Sequence, residues 1–322
     1  MFRNLAATAA LALLSACGDG QPFEFGDTGG GGGTPTPPAA GTAVPTELAQ
    51  NLFAVAYNPD GAGGAGTLVV DLRSLDASAF NATYTRDPSR DIDGYRAFEY
   101  REDPNGNGRK FLAFVAQSDS GNVTAVAVAD GGQFNRYYGG GFYARSGIYS
   151  EPAGTAQPNS GVVRYSGSYA GVITVDTSGN VDYTPGAAQP GGEYPYQPSA
   201  VRGDSLIIAD FTNDTVNGTI FNRVILSEDG TTVLPSSYDL SDIALTSTKI
   251  AANGTFLGTV DPSANTTVPS PIGYYGGIFA GVGATDVAGV ILINPYPSSA
   301  SIWEHGIFVI GTCTDVTCPD PV

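Results

Sequence analysis

Leu206-Ile207-Ile208-Ala209-Asp210-Phe211, a turn at Asn213-Asp214, and then Val216-Asn217-Gly218-Thr219-Ile220 running on to Val224 and Leu226 is the stretch that decides the fold. A short apolar run enters a turn rich in Asn and Asp and returns as an alternating strand. Val216, Gly218, Ile220, Val224 and Leu226 fall on one face of that strand, with Asn217, Thr219 and Arg223 on the other. This is a β-hairpin with one face for a core. Glycine inside such strands marks tight bends and close backbone approach, as barrel corners require.

Working outward, the same grammar repeats. Val163 to Val172 alternates large and small residues, and Asn253-Gly254 leads into Thr255-Phe256-Leu257-Gly258-Thr259-Val260. Tyr274 to Phe279 and Val287 to Ile293 flank the hairpin connection Gly281 to Asp286, and Trp303 to Thr312 forms a last strand. Upstream, Leu52–Tyr57, Thr67–Leu72, Tyr95–Tyr100, Phe111–Ala116 and Val123–Ala129 are short runs bounded by turn residues. Many short strands with turn signals between them mean an all-β sandwich or barrel. Between the two groups, Gly131 to Tyr143 is dense in glycine and aromatics, which reads as packing between two β units brought into close approach. Asp103-Pro104-Asn105-Gly106-Asn107-Gly108 opens like a calcium loop, but Phe114 stands where a bidentate glutamate is needed, so a plain hairpin turn is expected.

The N-terminus says where the chain goes. Arg3, an apolar run from Leu5 to Leu14, and then Leu14-Ser15-Ala16-Cys17 have the shape of an export signal. The run is too short to cross roughly 30 Å of hydrocarbon. The segment resembles the lipobox of bacterial lipoproteins. That resemblance implies a signal peptide over 1–16, a diacylglycerol on Cys17 and an outer-membrane lipoprotein, periplasmic or surface-exposed. Residues 17–48 follow as a Gly/Pro tether, including Gly29–Gly33 and Pro37-Pro38; glycine gives flexibility, proline gives extension, and neither buries a core.

Composition excludes several functions. The net charge of −17 argues against nucleic acid as a partner, because phosphates need Lys and Arg. Cys313 and Cys318 are close in sequence, and in an exported chain they read as a disulfide worth about 2 kcal/mol. Two cysteines and the single histidine, His305, do not make a structural zinc site. No Gly-x-Ser-x-Gly elbow occurs, and any Ser or Cys triad would have to use His305. The expectation is a chain that is not an enzyme, with no metal or cofactor. Haem is the one cofactor worth naming, with His305 as a lone axial ligand or Tyr274 and Tyr275 as phenolates.

Three of the barrel motifs also carry a family resemblance. Asp210-Phe211 followed by Val216-Asn217-Gly218-Thr219-Ile220, then Gly254-Thr255-Phe256-Leu257-Gly258, then Tyr275-Gly276-Gly277-Ile278-Phe279 with Val287-Ala288-Gly289-Val290, resemble the barrel hairpins of the transferrin-binding protein B family. The resemblance covers roughly residues 160–312. It implies a soluble eight-stranded antiparallel β-barrel over 151–322, filled by side chains, preceded by a smaller β-rich handle domain over 49–150. It also implies capture of a protein or small ligand of the iron- or haem-carrier class. No loop motif aligns, so no ligand-binding residue transfers. The competing expectation is a structural envelope lipoprotein that docks a membrane partner. A membrane-spanning barrel would need a continuous apolar outer band, which Asn217 and Arg223 on the second face of their strand oppose.

Overall fold

The computed structural model describes residues 43–73, 79–102, 109–132, 136–153, 161–175, 197–227, 230–235, 240–262, 271–294, 302–313 and 318. The signal segment, Cys17, most of the tether and the Asp103–Gly108 turn lie outside the described residues.

A single helical turn, α1 (Thr46–Ala49), leads into seven strands: β1 (Leu52–Asn58), β2 (Thr67–Arg73), β3 (Ala79–Arg86), β4 (Arg96–Arg101), β5 (Lys110–Gln117), β6 (Val123–Asp130) and β7 (Gly139–Arg145). They pair antiparallel in sequence order as one sheet. The sheet nearly closes on itself, since the Asn51 N–H at the start of β1 donates to the Gly139 carbonyl at 3.0 Å. This is the handle.

The short β8 (Tyr149–Ser150) leaves the handle and pairs parallel with the end of β14. Eight strands follow: β9 (Val162–Ile173), β10 (Ser199–Asp210), β11 (Thr215–Leu226), β12 (Ile243–Lys249), β13 (Thr255–Pro262), β14 (Gly273–Val282), β15 (Asp286–Ile293) and β16 (Glu304–Cys313). Each pairs antiparallel with the next, and β16 pairs back onto β9, which closes the barrel. The barrel expected from the sequence is therefore present. Its interior is packed with side chains, as an eight-stranded barrel requires. Phe279 stands at the centre, with ring centroids of Tyr165, Phe211 and Phe256 within 5.2–5.5 Å. Gly258 is where β13 must let the Tyr275 ring pass, because a Cβ there would overlap the ring.

One face assignment needs correcting. Along β10 and β11 the register is regular up to Asp204↔Phe221, then resumes at Arg202↔Val224. Asn222 and Arg223 thus oppose Gly203 alone, a β-bulge, and Asn222 takes φ +53°. Asn tolerates this left-handed conformation better than most residues. The extra residue flips the faces beyond it. Arg223 and Ile225 turn into the barrel, while Val224 and Leu226 turn out against the handle. Asn217 does stay exposed on the outer wall, with Arg202, Ser247 and Lys249, and these polar residues interrupt an apolar outer band.

Two features secure the outside of the barrel. Cys313 and Cys318 form a disulfide with Cα atoms 5.3 Å apart. It seats Cys318 on a small outer patch with Leu206 and Phe221. The handle covers another part of the outer wall, where its residues share one continuous core with Ala170, Val172, Ala288, Val290, Leu292 and Ile307 of the barrel. Small residues allow this approach: a Cβ on Gly141 of β7 would overlap the Val290 methyls. Residues 139–141 of the glycine-dense segment thus pack between the two β units.

Candidate functional site

The haem candidates are not brought together. Successive strand residues point to opposite faces. Tyr275 points into the barrel, where its hydroxyl donates to the carbonyls of Thr246 (2.5 Å) and Val216 (3.2 Å). Burial raises its phenol above the ordinary range, which keeps it a neutral donor and not a phenolate. Tyr274 is partly exposed on the outer wall. His305 lies on β16 facing the handle, buried, with its Cε1 only 2.8 Å from where a Cβ on Gly139 would sit. Burial alone lowers its imidazole to about 4.

The handle is joined to the barrel by polar contacts that sequence reading missed. The β9–β16 ladder is interrupted between Ile307↔Ala170 and Gly311↔Ser166. Tyr95, just before β4, fills the gap. Its hydroxyl accepts from the Val309 N–H (3.0 Å) and donates to the Ser168 carbonyl (2.7 Å). At the same edge, Ser120 and Asn122 of the β5–β6 turn donate to Asp286 at 3.1 and 3.0 Å. Between these contacts lies a cleft of about 260 Å³, lined among others by Asp93, Gln117, Ser118, Asp119 and Asp286. Three carboxylates and no cation line it, so its field is negative. Among the described residues no group of His, Cys, Asp and Glu is arranged to hold a metal ion.

Each β unit also carries a buried ion pair. Inside the barrel Arg223 pairs with Glu304, both side chains wholly buried. Glu304 also accepts from the Tyr169 hydroxyl at 2.6 Å, and Arg223 donates to the Ser241 carbonyl at 2.7 Å. Inside the handle Arg109 lies 3.0 Å from Asp130 and over the Tyr138 ring. Burial pushes the Asp130 carboxyl up to about 7, against the pull of Arg109. Both ion pairs are buried inside their own β units.

The two ends of the barrel differ. At one end the connections are short: 211–214, 250–254 and 283–285. At the other, the chain runs through 174–198, 227–242, 263–272 and 294–303. Most residues of these long connections lie outside those described, but their composition has one sign: seven Asp or Glu and no Lys or Arg. The polarity extends to the whole unit. Residues 151–322 hold sixteen Asp and Glu against four Lys and Arg, whereas residues 49–150 hold eleven against nine.

No family model matches the chain, and no curated protein matches it. Several solved structures do. One is a double mutant of transferrin binding protein B from Haemophilus parasuis, at 10% identity and TM-score 0.35, covering 76% of this chain and 51% of that one. Transferrin binding protein B from serogroup B Neisseria meningitidis matches at 13% identity and TM-score 0.31, covering 79% and 51%. The haemoglobin receptor HpuA from Kingella denitrificans matches at 12% identity and TM-score 0.32, covering 80% of this chain and 86% of that one. The chain thus spans about half the length of the transferrin binding proteins it matches. At superposition scores of this size, the functional reading rests on the chain's own residues.

Proposed function

We propose that the chain is an outer-membrane lipoprotein, tethered through Cys17 over residues 17–48, that captures a protein or small ligand without covalent chemistry. The observation that carries this reading is the asymmetry of the barrel ends. Four long connections, two of them acidic (174–198 and 227–242) and none with Lys or Arg, emerge at one end of a barrel whose interior is filled, so a ligand meets the outside of the molecule. Their tyrosines and prolines, such as Tyr183, Tyr194, Tyr196 and Pro195, suit a contact surface of low conformational cost. The negative field favours a partner with a basic face and makes the encounter sensitive to salt. The lipobox supports the location. The motif resemblance to the transferrin-binding protein B family supports the iron- or haem-carrier class, and haem is then cargo held by the partner.

The test is capture by the soluble chain, residues 44–322, from growth medium and candidate host fluids at low and high salt, with an absorbance scan of the eluate. A retained protein released by salt, with or without a haem Soret band, is the expected result. A clean eluate at high protein concentration overturns ligand capture and leaves the structural lipoprotein that docks a membrane partner.

A further inference from the structure

We propose that His305 is an acid-operated latch, whose protonation releases the handle from the barrel wall while each β unit persists. His305 sits on β16 between Val172 of β9 and Leu292 of β15, its ladder partners, and is covered by Gly139 of β7. It is 2% exposed, and neither ring nitrogen has a hydrogen-bond partner among the described residues. A buried polar group left unpaired in a native seam asks for a physical role. Neutral imidazole is tolerated there, but imidazolium would be an uncompensated charge in an apolar joint.

The charged and titratable groups on the surrounding elements do not offer it a partner. On β16 itself, Glu304 points into the barrel to Arg223. Asp286 of β15 and Arg164 of β9 lie at the far ends of their strands, opposite Gly311 and Cys313. On β7, Tyr143 and Arg145 stand further along the strand, and Arg145 donates to the Asn253 and Phe279 carbonyls. Arg136, before β7, is exposed. Asp130 of β6 is held by Arg109 within the handle. Asp130 also titrates with the opposite sign. Its native carboxyl binds a proton more readily than an unfolded one, so acid relieves it. Acid therefore acts against the seam through His305.

The sign follows from linkage. The docked imidazole binds its proton less readily than a solvated one near pH 6.5. Docking is thus unaffected above about pH 6.5 and weakens tenfold per pH unit below it, until the docked form itself titrates at about 4.

The molecule carries its own reporters. It has one tryptophan and one histidine, and both are at this seam. Trp303 stacks on Tyr137 of the handle at 5.5 Å. The experiment titrates Trp303 fluorescence and far-UV circular dichroism in the full chain, prepared without a histidine tag, beside His305→Phe. The expected result is a fluorescence transition between pH 6.5 and 4 with the strand signal unchanged, displaced at least one pH unit lower in the variant. Equal midpoints in the two proteins, or loss of strand signal together with fluorescence, overturn the latch. Should His305→Phe not fold, proton NMR of the one imidazole in the native chain decides it. A pKa well below 6.5, with Trp303 fluorescence changing alongside, supports the latch; a pKa near 6.5 overturns it.

Discussion

In the barrel, Glu304 receives both the Arg223 guanidinium and the Tyr169 hydroxyl, and Arg223 in turn holds the Ser241 carbonyl. In the handle, Asp130 has Arg109 and the Tyr138 N–H, yet burial still lifts its carboxyl to about 7. Both pairs are buried, but they do different work. The barrel pair links β9, β11 and β16 across the lumen beside the long connections, so it sets how that end of the barrel is closed. The handle pair lies between the neighbouring ends of β5 and β6, beside Tyr138 just before β7. A buried pair needs further hydrogen bonds to offset the loss of water, and its net contribution is modest even when removing one partner is costly.

The comparison can be broken most directly at Glu304. Glu304→Leu removes the carboxylate that faces the buried Arg223 guanidinium, and is expected to cost about 3–5 kcal/mol in chemical denaturation. Replacing both, as Arg223→Met with Glu304→Leu, is expected to recover most of that loss; a double variant as unstable as the single one would assign the pair a net stabilising role. Next comes the joint between the units. Tyr95→Phe removes the hydroxyl that serves the Val309 N–H and the Ser168 carbonyl, and should cost about 2–3 kcal/mol. A near-zero cost would mean the β9–β16 ladder closes by itself. Reducing the Cys313–Cys318 disulfide should cost about 2 kcal/mol and uncover Leu206 and Phe221. The apolar-dye binding that follows reduction measures that uncovering.

The smallest effect is a slope. Asp130 titrates at about 7 in the native chain against an ordinary value of 3.8, so its site favours folding at low pH and loses that advantage as pH rises through this window. His305 does the reverse between pH 6.5 and 4. The two offset each other over the range they share, and the native stability profile there should be shallow. Asp130→Asn is expected to make stability fall more steeply on acidification, by up to about 1.4 kcal/mol per pH unit. Denaturation midpoints at several pH values check this, and an unchanged profile would place Asp130 outside the folding linkage.

How much of this was legible without coordinates varies along the chain. The hairpins at Leu206–Leu226 and Tyr274–Ile293 and the strand at Thr255–Val260 were, because turn residues and period-two alternation are local. β3 was not, since Ala79–Arg86 alternates with few large apolar residues. Nor was β7, whose run Gly139-Gly140-Gly141 lacks strand propensity and becomes a strand because the Val290 wall requires small residues there. The bulge at Asn222 left no sequence signal that reverses the faces, so Arg223 read as outward. His305 read as a candidate haem ligand; its place in a joint between two β units depends on Gly139 and Val172, more than a hundred positions away.

The sequence by itself determined the all-β character, the positions of most strands and the acidic charge, because each is set by local composition and spacing. Only the tertiary structure decided which polar groups are buried together: Arg223 with Glu304, Arg109 with Asp130, Tyr95 in the β9–β16 gap, and His305 beneath Gly139. Burial is a property of how strands close and pack against one another, and a one-residue bulge is enough to send a charge from solvent into a core.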